Sequence, residues 1–164
     1  MIHFVGHPNP LIYQVMPKFD FNNPPVDPIE LANDLAQTML SENGMGLAAN
    51  QAGLPYRAFA IKSEQIIVCF NPLVVDSSPE EVYLDEGCLS FPDLYLKVKR
   101  PATIKVRYTE PNGNVRTMTF SGMTARVFLH ELDHLDGIAF QKRTNSLHLN
   151  QGRQKQKKLQ RKRK

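Results

Sequence analysis

Between Val127 and His134 the chain reads Val-Phe-Leu-His-Glu-Leu-Asp-His, and this stretch restricts the fold more than any other. On an α-helix, residues i and i+4 share a face, so His130 and His134 stand one above the other. Two imidazoles so placed can close on one metal ion, with Glu131 projecting beside them toward a metal-bound water. Ala125, Phe128, Leu129, Leu132 and Leu135 form an apolar stripe on the same segment, and Gly137 is placed as its stop. A helix over about 124–135 must therefore pack inward and carry its polar motif with it. The competing reading is a surface helix whose solvent face happens to carry His, Glu, Asp and His. The apolar stripe favours the buried one.

A tetrahedral catalytic site takes three protein ligands and leaves the fourth place to water. Downstream of His134 stand only Asp136, close in sequence, and His148, in a polar stretch. Upstream, Asp85-Glu86-Gly87-Cys88-Leu89-Ser90-Phe91-Pro92 puts a cysteine on glycine-bearing, proline-ended backbone of irregular type. From the residues alone Cys88 reads equally as a ligand or as a small buried hydrophobe, whereas Cys69, inside an apolar run, reads as core. A third segment, Gly44-Met45-Gly46-Leu47-Ala48-Ala49-Asn50-Gln51, permits close backbone approach and tight packing and offers the Gln51 amide as a donor. Such small-residue runs more often mark a helix end and turn.

Taken together and in order, these segments resemble the peptide deformylases. The family pattern is Gly-x-Gly-hydrophobic-Ala-Ala-x-Gln, then Glu-Gly-Cys-hydrophobic-Ser, then His-Glu-x-Asp-His, and the chain matches it at 44–51, 86–90 and 130–134. The opening His7-Pro8-Asn9-Pro10-Leu11 is similar to the family's start, and the resemblance runs from about residue 2 to about 141. It departs locally at Leu129, where the family commonly has glutamine.

The resemblance implies that Cys88, His130 and His134 hold one divalent metal, Fe(II) in the cell, with Ni(II), Co(II) or Zn(II) as substitutes. A thiolate ligand suits late first-row metals and disfavours Mg²⁺ or Ca²⁺. The implied reaction is hydrolysis of the formyl group from N-formylmethionyl peptides, releasing formate, by attack of a metal-bound hydroxide. Glu131 would move the proton, while the Gln51 amide and the Leu89 backbone N–H would stabilise the oxyanion. Gly46 would let the substrate backbone pass close, and Met45, Glu86, Met123, Arg126 and Val127 would form the methionine pocket. A zinc endopeptidase, which has no need of Cys88, and an RNA-binding module with a structural metal are the rival readings.

The length of 164 residues suits one domain with its own core. Met1-Ile2-His3-Phe4 shows no signal-peptide pattern, and no stretch nears the ~20 apolar residues of a membrane span. Two cysteines, one for metal and one for core, leave no disulfide to make, so a reducing cytoplasm is expected, bacterial or that of a host if phage-encoded. Eight of the 20 basic residues lie in 153–164, which holds no acid, leaving 12 basic against 16 acidic groups in the rest. The sequence therefore predicts a catalytic domain over 1–146 and a basic, disordered tail over 147–164. That tail is a candidate anchor to ribosomal RNA.

The predicted fold class is α+β, with mostly antiparallel strands around a central metal-binding helix and one further N-terminal helix. Asp27, Pro28 and Glu30 predict the start of that first helix, and Gly44 its end. Strands are expected at 58–62, 65–70, 103–108 and 115–120, the last two joined by a turn at 110–114. Residues 72–100 are expected to form irregular short strands.

Overall fold

Asp27 accepts hydrogen bonds from the backbone N–H groups of Ile29 (2.8 Å) and Glu30 (3.1 Å), and Pro28 fills the first turn, so helix α1 spans Pro28–Ser41 as its sequence predicts. The computed structural model describes residues 2–164, and within them α1 is followed by seven strands and two further helices. The strands are β1 (Gly46–Ala48), β2 (Ala58–Lys62), β3 (Ile66–Ser77), β4 (Glu81–Cys88), β5 (Phe91–Pro101), β6 (Thr103–Thr109) and β7 (Val115–Ser121). The helices are α2 (Gly122–Leu135) and α3 (Ser146–Lys162), separated by the 3-10 turn Phe140–Arg143.

Five strands make one antiparallel sheet in the order β1-β2-β3-β6-β7. Successive strand residues point to opposite faces. Ala58 and Ala60 of β2 accordingly pack with Leu31, Leu35 and Met39 of α1, whereas Phe59 and Ile61 pack with Phe128 and Leu135 of α2. The two helices thus cover opposite faces of the sheet, and of the stripe predicted for α2, Ala125, Phe128 and Leu135 are buried and Leu129 and Leu132 partly buried. The turn at 110–114 forms as expected, closed by the Glu110 N–H to the Asn114 carbonyl at 2.8 Å, with Gly113 at φ +88°. Cys69 is fully buried.

Residues 72–100 are more regular than their sequence predicts. β3 runs on to Ser77 through two register shifts, and β4 and β5 form a long antiparallel ladder of their own. The ladder is hard to see because β4 buries only Glu86 among its eight residues. β5 does alternate, burying Leu94, Leu96, Val98 and Arg100, but one of those four is charged.

The tail is a correction of larger size. Residues expected to be disordered form α3, and the boundary expected at 146/147 falls inside its first turn. Asn145 caps the helix, accepting from the His148 N–H at 2.8 Å. No apolar stripe is needed, because Gly152 lies flat on β5: a Cβ there would stand 2.7 Å from the Tyr95 carbonyl oxygen. Leu149 adds to the cluster of Leu94, Leu96, Val98 and Phe140. Gln156 donates to the Pro92 carbonyl (2.9 Å) and Arg163 pairs with Asp93 (2.8 Å), tying the far end.

Candidate metal centre

Helix α2 enters the interior with His130, Glu131, Asp133 and His134 all buried beside Ala125, Phe128 and Leu135. Phe128 meets Phe59 edge-on at 5.1 Å, which fixes the depth of the helix against the sheet. The Asn50 side-chain amide donates to the His134 carbonyl at 2.6 Å and to the Leu11 carbonyl at 3.2 Å, pinning the end of the motif to the 44–51 segment.

Cys88 is the last residue of β4, and the pairing with β5 shifts register between Gly87 and Cys88. A side chain at Gly87 would crowd the exposed Tyr95 ring, which stands 2.8 Å from where a Cβ would sit. At this irregular end Cys88 Sγ lies 3.3 Å from His134 Nε2, and one ligand atom from each of Cys88, His130 and His134 falls within 4.8 Å of the others. The three residues named from the sequence are thus brought to one point.

The donor set suits a late first-row divalent ion, with one sulfur and two imidazoles. His130 Nδ1 is bonded to Glu86 Oε1 at 3.0 Å, which leaves Nε2 for the metal. Two buried atoms at the site, Glu131 Oε2 and His134 Nδ1, have no hydrogen-bond partner. The electrostatics agree. Burial works against a charged His130, but the Cys88 sulfur and Glu86 outweigh it and push its pKa up to about 10 without a metal, so a metal at Nε2 would have to displace that proton. Burial, then His130 and Arg100, drive the His134 pKa well down, so its ring stays neutral with a free lone pair. Burial likewise pushes the Glu131 carboxyl up to about 7, suited to taking and returning a proton near neutral pH.

Behind the ligands lies a buried charge network that the sequence does not announce. Glu86 takes two bonds from Arg100 (2.7 and 2.9 Å), one from Arg126 (2.7 Å) and one from His130. Burial opposes its ionisation, yet His130 and Arg100 outweigh that and hold its pKa at about 2. Arg126 also donates to the carbonyls of Val98 (2.9 Å) and Val82 (2.6 Å). Glu86 and Arg126 therefore stand in the cleft wall with their charged ends committed to each other and to the scaffold. Asp133 receives Arg100 (2.9 Å) and both arms of an Arg143 fork (3.0 and 2.7 Å). Arg100, Arg143 and Asn50, and the task of the motif residue Asp133, escape a motif reading because their partners are 10 to 84 residues away.

In front of the ligands is a cleft of about 660 Å³, lined by Gly46, Gln51, Cys88, Leu89, Val127 and Glu131. Met45 and Met123 stand in its wall and are half exposed. Gln51 is held by the Ala48 N–H donating to its Oε1 (2.9 Å), while its Nε2 donates to Ser90 Oγ (3.1 Å) and lies 3.9 Å from Cys88 Sγ. A Cβ at Gly46 would collide with the Glu131 carboxylate, whose Cδ would be 2.7 Å away. Leu129, where the sequence departs from the family pattern, is partly buried against the core. Every site residue predicted from the sequence except His134 lines this cleft, and His134 faces it through Cys88.

An antiparallel α+β frame, a sulfur and two helix-borne imidazoles at one point, and a buried carboxylate beside them define a metal-dependent hydrolase. The polypeptide deformylase family matches residues 1–150. A peptide deformylase of Rhizobium meliloti (strain 1021) is 38% identical over 144 residues, covering 81% of this chain and 79% of that one. The peptide deformylase structure from Thermus thermophilus superposes with a TM-score of 0.85 at 31% identity, covering 100% of both chains. That from Synechococcus elongatus, in complex with actinonin, gives 0.84 at 31% identity over 96% of this chain and 85% of that one. The chain belongs to the polypeptide deformylase family.

Proposed function

We propose that this chain removes the formyl group from N-formylmethionyl nascent peptides, releasing formate and a free amine, and that Cys88, His130 and His134 hold the metal. The carrying observation is the convergence of those three side chains at one end of a cleft in which Glu131 is buried with one oxygen free. What the metal supplies when bound is a lower pKa for a coordinated water, from about 15.7 toward 7. Glu131 takes the proton of the attacking water and returns it to the leaving amine. The Gln51 amide and the Leu89 backbone N–H receive the growing charge on the formyl oxygen, each worth roughly 3–4 kcal/mol. Gln51 suits that task because the Ala48 N–H fixes its carbonyl end and so aims its donor end at the cleft.

Gly46, lacking a side chain, lets the Glu131 carboxylate lie against β1, and the substrate backbone passes along this strand and pairs through main-chain hydrogen bonds. Met45, Met123 and Val127 take the methionine side chain, while Glu86 and Arg126 keep that wall rigid from behind. The test is formate release from formyl-Met-Ala-Ser by metal-loaded protein, beside Glu131→Ala carrying the same metal. A loss of at least about 10²–10⁴-fold in the variant supports these roles. Equal turnover by both would refute them.

Fe(II) is the metal we assign in the cell, with Ni(II), Co(II) or Zn(II) as substitutes. Iron and thiolate both oxidise, so iron-loaded activity should decay in air; activity that survives long aerobic exposure counts against iron. For a partner we assign the ribosome, through the basic residues of 153–164, all of them exposed on or just beyond α3. Binding should weaken with salt and fall in a Lys157→Glu, Lys158→Glu double variant, and unchanged ribosome pelleting would end that idea. No described helix is long and apolar enough to cross a membrane. The cytoplasm, where nascent chains emerge, is the compartment we assign, and recovery in a secreted fraction would contradict it.

A further inference from the structure

We propose that Arg143 is a positioning residue for the metal site, acting on His130 from a turn outside all three motifs. The inference rests on the assignment of Cys88, His130 and His134 as ligands. Arg143 grips both oxygens of Asp133, Nε to Oδ2 at 3.0 Å and Nη2 to Oδ1 at 2.7 Å. Asp133 Oδ2 also accepts from Arg100 Nη1 at 2.9 Å. Arg100 turns its other edge to Glu86, with Nε and Nη2 on separate carboxylate oxygens at 2.7 and 2.9 Å. Glu86 Oε1 then meets His130 Nδ1 at 3.0 Å.

Two of these links are forks, and a fork fixes the plane of both partners where a single bond would allow rotation. The relay therefore transmits orientation as well as charge. Arg100 and Glu86 are each about 5% exposed and Asp133 is 8% exposed, so little water is at hand to replace a lost partner. Arg143 is the outermost link, 45% exposed, and closes the chain from the 3-10 turn Phe140–Arg143. The same turn touches His130 a second time, since the Phe140 ring lies 5.6 Å from the imidazole. One turn thus backs the first histidine by packing and by charge.

Without Arg143, Asp133 loses the fork that fixes its plane and is left with the single bond from Arg100 at Oδ2, so it steadies Arg100 less firmly. Glu86 and the His130 ring then gain freedom about the direction in which Nε2 must face the metal. Outer partners of metal-bound histidines typically change affinity or activity by about 10–100-fold. A purely structural staple would lower the melting temperature and leave the metal's environment alone.

The experiment compares Arg143→Met, Arg143→Lys and, as a control, Arg116→Met, which removes the same charge from an exposed pair with Glu110. Three quantities are read on the cobalt-loaded, full-length protein: the rate of metal loss to excess chelator, the visible absorption bands, and kcat and KM on formyl-Met-Ala-Ser. Arg143→Met should lose metal about tenfold faster, shift the cobalt bands and lower kcat about tenfold at unchanged KM. Arg143→Lys, which keeps the charge but not the fork, should accelerate metal loss by roughly threefold, and Arg116→Met should match the wild type.

An Arg143→Met protein that melts earlier yet keeps the wild-type metal-loss rate and spectrum overturns the proposal. Should that variant not fold, Arg143→Lys decides, and wild-type metal loss in it is the overturning result. Chelation and spectrum need no turnover. A wild type that holds cobalt but releases no formate therefore refutes the functional reading alone, while one that binds no cobalt refutes the ligand assignment.

Discussion

Helices α2 and α3 are of similar length, 14 and 17 residues, and are held in place by opposite means. Nine residues of α2 are buried, and the helix is fixed by the volume of side chains such as Phe128 on both sides of its motif. In α3 only Gly152 is buried, and the helix is fixed by the absence of a side chain at that point. The first helix is placed by what it carries inward, the second by how closely its backbone approaches β5. The lesson is that an amphipathic stripe is sufficient for docking a helix but not required for it, because one glycine and a good cap can also seat a polar helix on a strand.

Three substitutions sharpen that contrast. Phe128→Ala should cost the most, about 3–5 kcal/mol, since the ring is fully buried against Phe59 and Phe120. Calorimetry should then show Tm lower by about 10 °C; a shift of a degree or two would mean α2 is held by something other than its stripe. Gly152→Val should cost about 1–3 kcal/mol by driving a branched side chain into the Leu96 side chain and the Tyr95 carbonyl. Its distinctive sign is faster tryptic cleavage within 153–164, and an unchanged cleavage rate would show that close approach is not what seats α3. Asn145→Ala, which removes only the cap, should cost about 1 kcal/mol. A small loss of helical circular dichroism checks it, and no loss would leave the docking contacts as the whole support of α3.

The same contrast explains what was legible in the sequence. The motif helix, α1, β2 and the 110–114 turn carry their signals locally, as periodicity, caps and turn residues, and the structure has them where those signals stand. The three candidate ligands were legible because they fall in short ordered motifs, and Cys88 in particular needed the family resemblance to separate it from a core cysteine. β4 was hidden because a strand with one buried residue has no hydrophobic alternation to read. α3 was hidden because a single glycine contact looks, in sequence, like any other glycine among lysines. For Glu86 and Arg126 the residue choice was legible but the task was not, since a pocket wall and a buried ion pair leave the same trace in a one-dimensional string. The Arg143–Asp133–Arg100 links left none at all, being joined only in three dimensions.

The sheet order places β1, three residues long, on an edge beside the cleft. An open strand edge is usually a hazard, because its unpaired backbone groups can recruit another chain and start aggregation. Here the edge is short for templating a fibril and, under the proposed function, long enough to pair with the first residues of a peptide. Its brevity does a second job, because a strand that pairs with only a few backbone units imposes almost no demand on the residues beyond them. Under the proposed function, thousands of different protein beginnings would pass along the same three residues, and so short an edge offers little for a second copy of the chain to pair with.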